Sequence, residues 1–528
     1  MGVYINLGNA DFQSARNSEY VDKSGLIAVI NKTLNTELRF SCVSRCRRFG
    51  KSMAAKMLRA YYDRSCDSRS LFVDLAIASD PSFEKHLNKY PVIYLDVTNF
   101  TTRDIPLAEL VPVMQQRIIE DILSVYPDVK VNLDDDLMDV LAKVADHYHE
   151  QFIMIIDEWD AICREASEDK EAMDKYVNLL RRLFKGSNTG QVFAGVYMTG
   201  ILPIKKYKTE SALNNFREYS MVKPGLLAGH YGFTKNEVMM LAKKYGMDFD
   251  DLEKWYDGYQ IGDQQSIFNP NSVISALYND YCESYWGSTG AFDTVANYIQ
   301  MNFDGLKDDI IRMLAGERCK VNPTKFQNDM SIIRSRDDVL TVLIHLGYLS
   351  YDRSKSECYI PNHEVAGEMV NAVEANNWKH VANALEASEQ LLEATLEGDE
   401  DAVARGVDLA HDENTSILSY NNENSLACML SIAYYYARND YVIHREFPSG
   451  KGFADLVLIP RKNVDSPAII LELKHNRSAN KIATESAIDQ IKRRVYPAKV
   501  AEYADRLLLV AISYDEKQKK HSCVIEKA

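Results

Sequence analysis

The chain has no uninterrupted apolar run of about 18 residues, so it offers no helix that would span a membrane. It does not open like a secretory leader either, because MGVYINLGNADFQ has no basic stretch followed by an apolar one. Met1-Gly2 starts like a myristoylation site, but Asn6 stands where Ser or Thr is wanted. The nine cysteines are scattered, odd in number and never spaced C-x-x-C. That pattern excludes a disulfide frame and a zinc ribbon and predicts reduced thiols in a cytoplasmic protein. A surplus of basic charge is missing too. The net charge of −15 argues against a protein that coats polyanions, although local basic patches can still meet nucleic acid. What remains is an ordinary globular composition, and 528 residues predict roughly three to four domains.

The chain is organised around Arg39–Leu58, RFSCVSRCRRFGKSMAAKML. Apolar Phe40 to Val43 reads as a strand, Ser44 to Phe49 as a basic loop, and Lys51–Tyr62 as a helix. Strand, loop and helix opening on Gly-Lys-Ser is the layout of a phosphate-binding P-loop. A helix N-terminus presents backbone N–H groups and partial positive charge. Gly50, Lys51, Ser52 and Met53 form the expected nucleotide-binding set. Lys51 is suited to the β/γ oxygens and Ser52 to Mg²⁺. Arg47 or Arg48 is placed to reach phosphate, the alternative being an arginine from a neighbouring subunit of a homo-oligomer. The first glycine of G-x-x-x-x-G-K-[ST] is absent because Arg45 occupies it, so the loop by itself reads equally as a basic turn before a helix.

Phe152–Asp160, FIMIIDEWD, decides between them. Its apolar run suits a strand buried on both faces, with Asp157 and Glu158 at the C-terminal end, where open α/β sheets bind ligands. Asp157 can hold Mg²⁺ through water, and Glu158 can polarise an attacking water. Val92–Val97 and Val192–Met198 read as further buried strands, and Glu218–Val222 as a fifth. Thr199 follows the Val192–Met198 run and is a candidate sensor of the γ-phosphate. Strands alternating with helices predict a parallel sheet with right-handed crossovers. Asp134-Asp135-Asp136 reads as a charged helix start before Leu137. Residues 1–36 either fold over the adenine or simply pack.

From Thr234, with Glu237 three residues on, a capping box opens a helical region. Residues 328–375 read helix, hairpin, helix, a small winged-helix-like unit suited to DNA or to packing between domains. Residues 377–409 read as an amphipathic helical pair turning at Gly398–Asp401.

A second set of acids follows Thr415. Phe453–Ile459 and Ala468–Leu473 read as neighbouring strands. Glu472 and Lys474 are two apart and face the same side, where Asp455 can meet them. Two carboxylates can hold Mg²⁺ or Mn²⁺, and a lysine beside them can orient or deprotonate water, which is the equipment for metal-assisted phosphodiester hydrolysis. Glu423 and Gln490 are accessory candidates, and Lys481, Lys492, Arg493 and Arg494 are suited to tracking a phosphate backbone.

Residues 1 to about 240 resemble the AAA-ATPase-like family of bacterial proteins, on YVDKS (20–24), SRCRRFGKS (44–52), IIDEWD (155–160), MTGILPI (198–204) and SALNNFREYSM (211–221). WYDGYQIG, FNPNSV, GYLSY and IPNHEV are similar to its continuation. Glu446, GKGFADLVL and ELK resemble its C-terminal PD-(D/E)xK nuclease-superfamily domain. The resemblance implies Lys51 and Ser52 at phosphate and Mg²⁺, Asp157 and Glu158 as the Walker B pair, and Asp455, Glu472 and Lys474 at a nuclease metal. The family usually shows Pro where Cys46 stands and often Arg where Ala454 stands.

The expected architecture is α/β: a P-loop NTPase parallel sheet over 1–235, a helical and winged-helix-like middle over 236–410, and a C-terminal α/β restriction-endonuclease-like domain over 411–528. The expected function is ATP binding and hydrolysis joined to a metal-dependent nuclease acting on nucleic acid, with ATP and DNA the expected partners and DNA versus RNA left open, and with nucleotide state gating the nuclease through residues 240–410. The alternative is a nucleotide-dependent switch or scaffold whose nuclease fold binds without cutting.

Overall fold

A computed structural model describes residues 2–101, 105–165, 169–204, 206–207, 210–211, 213–286, 291–301, 303–314, 316–326, 333–375, 379–414, 430, 433–449, 452–460, 466–476, 503–515 and 518–528. Glu423, Lys481, Gln490, Lys492, Arg493 and Arg494 lie outside the described residues. The chain forms two compact units, Met1–Ser288 with Lys320–Val365, and Thr289–Cys319 with Ala366–Ala528. The stretch read as one middle region, 236–410, is divided between them.

The first unit is built on a five-stranded sheet. Its strands are β1 (Phe40–Ser44), β2 (Val92–Asp96), β3 (Phe152–Asp157), β4 (Phe193–Gly200) and β5 (Arg217–Tyr219), in the spatial order β2-β3-β4-β1-β5. Every neighbouring pair is parallel. Crossover helices cover both faces of such a sheet, which is why β1 and β3 are buried at every position. Helix α1 (Lys51–Tyr62) follows β1. Helices α2 (Leu107–Val125) and α3 (Leu137–Tyr148) lie between β2 and β3. Helices α4 (Ala161–Glu165) and α5 (Lys170–Phe184) precede β4.

Side chains alternate across the sheet. Met154, Ile156 and Met198 pack with α2, α3 and α5, whereas Ile153, Ile155 and Tyr197 pack with α1 and with Phe12, Leu26 and Ile27 of the N-terminal segment. Asp157, two residues past Ile155, and Thr199, two past Tyr197, therefore belong to the α1 side. Helix α3 starts as the sequence suggested: Asp136 and Asp139 form a reciprocal capping box. The fifth strand is shorter than expected. Past Tyr219 the chain turns, with the Ser220 N–H donating to the Lys223 carbonyl at 3.1 Å.

Beyond the sheet, α6 (Lys235–Tyr245) opens on the Thr234–Glu237 capping box. Glu237 also takes the Lys23 ammonium on both oxygens at 2.8 Å, tying the N-terminal segment to this helix. A hairpin of β6 (Tyr259–Ile261) and β7 (Gln264–Phe268) follows. Gly258 enters it at φ +101, where a Cβ would sit 1.9 Å from the Pro361 carbonyl oxygen, so only glycine fits. Residues 336–375 are helix, hairpin, helix: α7 (Arg336–Leu346), β8 (Ser350–Asp352) paired antiparallel with β9 (Glu357–Tyr359), and α8 (His363–Ala375).

The second unit carries helices α9 (Lys379–Glu397) and α10 (Glu400–Asn414) and a mixed sheet. Its strands β10 (Tyr441–Ser449), β11 (Gly452–Pro460), β12 (Ala468–Asn476), β13 (Leu507–Asp515) and β14 (Lys520–Lys527) lie in sequence order. All pairs are antiparallel except β12 with β13. Helix α10 is fastened to β14: Asp408 accepts both the backbone N–H of His521 at 2.7 Å and its Nδ1 at 2.8 Å, and Glu400 accepts the Ile525 N–H at 2.9 Å. Among the described residues no helix is long and apolar enough to cross a membrane.

Candidate functional site

The loop from β1 to α1 closes on Gly50, which caps the helix at φ 86. The first bond of the helix runs from the Ala54 N–H to the Gly50 carbonyl at 2.9 Å. The N–H groups of Lys51, Ser52 and Met53 thus lie outside the helix's own bonding and face the loop's concavity. A Cβ at Gly50 would meet nothing within 4 Å, so the space beside Gly50 itself is open.

Arg45, at the position of the missing glycine, is fully buried and points away from the bowl. Its guanidinium donates to the carbonyls of Ser44 at 2.9 Å, Tyr219 at 2.7 Å and Leu227 at 3.3 Å, and stacks over the Tyr231 ring at 5.1 Å. Its backbone is not among those with positive φ, so nothing in the loop's path demands glycine there. Cys46 is buried against Gly347, where a Cβ would come within 2.5 Å of its own, and burial pushes its thiol up to about 12. Arg48 is directed to the Tyr285 carbonyl and lies near Glu364. Glu364 is itself buried and pushed up to about 7, and it accepts the Ser272 hydroxyl at 2.9 Å and the Tyr285 N–H at 2.8 Å. Arg47 stays half-buried on the loop.

The acidic strand tip meets the helix. Lys51 donates to the Cys46 carbonyl at 3.1 Å and lies 3.7 Å from Glu158 Oε1. Ser52 lies beside Asp157, close enough to lower its carboxyl. Asp157 is 2% exposed, and burial pushes its carboxyl up to about 6. Ser52 and Lys51 oppose that rise, while Glu158 and Asp96 add to it. Thr199, on the strand between β1 and β3, is fully buried, and its Oγ1 has no hydrogen-bond partner among the described residues. Glu158 holds φ 50, an uncommon conformation for a residue with a Cβ and one that clusters at functional sites.

Four residues of this neighbourhood carry no signal that the sequence reading used. Asp96 ends β2 beside Asp157 in register, and the Tyr94 hydroxyl donates to Asp157 at 3.3 Å. Asp160 is fully buried and accepts the backbone N–H groups of Ile201 at 3.2 Å and Leu202 at 2.8 Å. Arg164 reaches Glu158 Oε2 at 2.5 Å. An acid closing the apolar run VIYLD was the available sign for Asp96, and the i,i+4 spacing of Asp160 and Arg164 the sign for that pair.

In the second unit β11 pairs with β12 from Leu458↔Ile469 to Leu456↔Leu471, Asp455 and Glu472 being the next residue on each strand, and Lys474 pairs with Ser513 of β13. Glu472 is 3% exposed, in the row of Ile470, which packs with Val457, Leu509 and Ala511. The side chains of Asp455 and Lys474 lie outside the description. Among the described residues no group of three His, Cys, Asp or Glu side chains converges as a metal site would require.

The comparisons with known proteins agree with this division. The family described as "Predicted AAA-ATPase" matches residues 6–209, and the PD-(D/E)XK nuclease superfamily matches residues 421–523. The chain therefore carries an AAA-ATPase domain of that family followed by a domain of the PD-(D/E)XK nuclease superfamily. It is 22% identical over 280 residues to a protein described as "Uncharacterized protein in vnfD 5'region" of Azotobacter chroococcum mcd 1, over 51% of this chain and 50% of that one. The chain thus spans about half the length of that curated relative. The Aeropyrum pernix ORC2 protein, solved in ADPNP-ADP complexes, aligns with 69% of this chain and 98% of its own at 12% identity. With a TM-score of 0.31, that likeness carries no argument.

Proposed function

We propose that the chain binds and hydrolyses ATP at the β1–α1 loop and cuts nucleic acid, DNA by preference, at a metal-dependent site on β11 and β12. One observation carries the first half: the strand-tip acids Asp157 and Glu158, far from the loop in sequence, meet the start of the helix, where Glu158 Oε1 lies 3.7 Å from Lys51 Nζ and Ser52 is close enough to Asp157 to lower its carboxyl. The unpartnered Thr199 hydroxyl and the raised Asp157 carboxyl suit a site built for a phosphate and a divalent cation. Ser52 and Asp157 would hold Mg²⁺, which when bound supplies neutralisation of phosphate charge. Lys51 and the N–H groups of Ser52 and Met53 bind the phosphates, and Arg47 joins them in this reading. Glu158 accepts a hydrogen bond from water and turns its oxygen toward the γ-phosphorus. The water oxygen bonds to that phosphorus, the bond to the β–γ bridging oxygen breaks, ADP leaves with the electron pair, and the water's proton ends on inorganic phosphate. Preorganised charge in a partly dried bowl is the source of the rate.

For the second half, Asp455 and Glu472 are the proposed ligands of Mg²⁺ or Mn²⁺, and Lys474 orients water at the phosphodiester. Support comes from the strand register and from the superfamily match. The test compares wild type, Lys51→Ala and Glu472→Ala with ATP, Mn²⁺ and plasmid or single-stranded DNA. Cutting by wild type and not by Glu472→Ala is expected, with nucleotide binding lost only in Lys51→Ala. If no protein cuts and only Lys51→Ala loses nucleotide, the nuclease half is wrong and a nucleotide-dependent switch remains.

A further inference from the structure

We infer that Arg164 is a positioning residue for ATP hydrolysis: it holds one carboxylate oxygen of Glu158 and thereby aims the other at the attacking water. The inference rests on the ATPase reading above. The two oxygens of Glu158 are held differently. Oε2 lies 2.5 Å from an Arg164 guanidinium nitrogen, and Oε1 lies 3.7 Å from Lys51 Nζ, on the side of the phosphate bowl. Only Oε1 therefore faces the place where a γ-phosphate and its water would meet.

Arg164 is itself fixed. It is largely buried, with 13% of its side chain exposed, and its backbone N–H donates to the Asp160 carbonyl at 3.0 Å. Its Nε lies 3.2 Å from Asp160 Oδ2, close enough for an ion pair although not aligned as a hydrogen bond. Asp160 cannot drift, because the N–H groups of Ile201 and Leu202 hold its carboxylate. Those two residues leave β4 directly after Thr199 and Gly200. A Cβ on Gly200 would come within 2.5 Å of Asp160 Oδ1, so the bracket and the strand tip are packed without slack. A continuous set of contacts thus runs from the β4 exit through Asp160 and Arg164 to Glu158.

The geometry matters because Glu158 has a long side chain with several rotatable bonds, sits on a left-handed turn and is 20% exposed. In the described structure Lys51 is its other cationic neighbour. Lys51 is also the residue expected to engage phosphate, and once it does so Arg164 is the cation left to hold the carboxylate. A charge-assisted bond from a rigid guanidinium fork suits that task.

The test uses the full chain. Phosphate release with saturating Mg-ATP is measured for wild type, Arg164→Ala, Arg164→Lys, Glu158→Gln and the Arg164→Ala/Glu158→Gln double variant, and a fluorescent ATP analogue reports affinity. Arg164→Ala is expected to lose about 10²-fold in kcat, the scale of a misplaced catalytic group. Its nucleotide Kd should stay within about twofold of wild type, since Arg164 makes no phosphate contact in this scheme, and Arg164→Lys should recover part of the rate. The double variant should be no slower than Glu158→Gln alone, because residues acting as a unit are non-additive. Arg164→Ala turning over at the wild-type rate would overturn this inference and leave the ATPase reading standing. So would equal losses of rate and affinity in Arg164→Ala that Arg164→Lys does not relieve. A wild type that binds ATP and never releases phosphate overturns both.

Discussion

Asp157→Asn should make the nucleotide-free protein more stable at neutral pH, and the gain should vanish in acid. Burial raises the Asp157 carboxyl from its ordinary 3.8 to about 6. Between those values the folded state keeps a proton that the unfolded state releases. Stability contributed by this group is therefore intact below pH 3.8, falls as pH rises to 6, and stays low above it. A rise of roughly two units corresponds to ~3 kcal/mol. Asparagine keeps the shape and cannot ionise, so the variant should exceed wild type by up to ~3 kcal/mol at pH 8 and by well under ~1 kcal/mol at pH 4. Urea unfolding followed by tryptophan fluorescence reads this, because Trp159, Trp255 and Trp286, three of the four tryptophans, belong to the first unit. Saturating Mg-nucleotide should reverse the order, since a ligand stabilises only the state that binds it. Equal unfolding of the two proteins at pH 8, or a gap that is the same at pH 4 and pH 8, would refute the reasoning.

Three further outcomes follow. Arg45→Gly, which completes the glycine pattern, should lower stability by ~2–4 kcal/mol by stranding the Ser44, Tyr219 and Leu227 carbonyls, and it should not improve ATP affinity; unfolding curves and a fluorescent ATP analogue check both. Gly258→Ala should cost several kcal/mol, on the order of ~3, because of its positive φ and the Pro361 carbonyl in the way, visible as a lower thermal midpoint. Glu158→Gln should keep nucleotide binding and lose about 10²–10⁴-fold in phosphate release, the usual scale for a general base; unchanged turnover would remove Glu158 from the chemistry.

The strands of the first sheet were legible because crossover helices bury both faces, and buried strands read as unbroken apolar runs such as FIMII and VIYL. The Thr234–Glu237 capping box and the acidic start of α3 were legible for an equally local reason. Strand order was not, because no residue in β4 announces that it separates β1 from β3; that is a matter of which faces remain to be covered. The fate of Arg45 was also hidden. A glycine pattern records which side chain is absent, whereas the loop depends on where the side chain goes, and the carbonyls of Tyr219 and Leu227, 174 and 182 residues downstream, help decide that. Arg164 was missed for the opposite reason: it lies so near Asp160 in sequence that it reads as an ordinary surface i,i+4 pair. In the second unit, the strands carrying Asp455 and Glu472 were legible as apolar runs, and they pair as neighbours at Leu456↔Leu471.

The discontinuous build of the first unit bears on how this protein can be taken apart. Gly347 lies behind Cys46, and Tyr259, which packs edge-on to Phe49 at 5.0 Å, donates its hydroxyl to the Gly347 carbonyl at 2.8 Å. Truncation at residue 235, where the alternation of strands and helices ends, strips both Tyr259 and Gly347 from the rear wall of the phosphate loop, and truncation at 288, where the first segment of the unit ends, strips Gly347. Such fragments would expose the apolar surface that these contacts cover, whereas a polypeptide reaching the end of α8 at Ala375 retains Tyr259, Gly347 and Glu364.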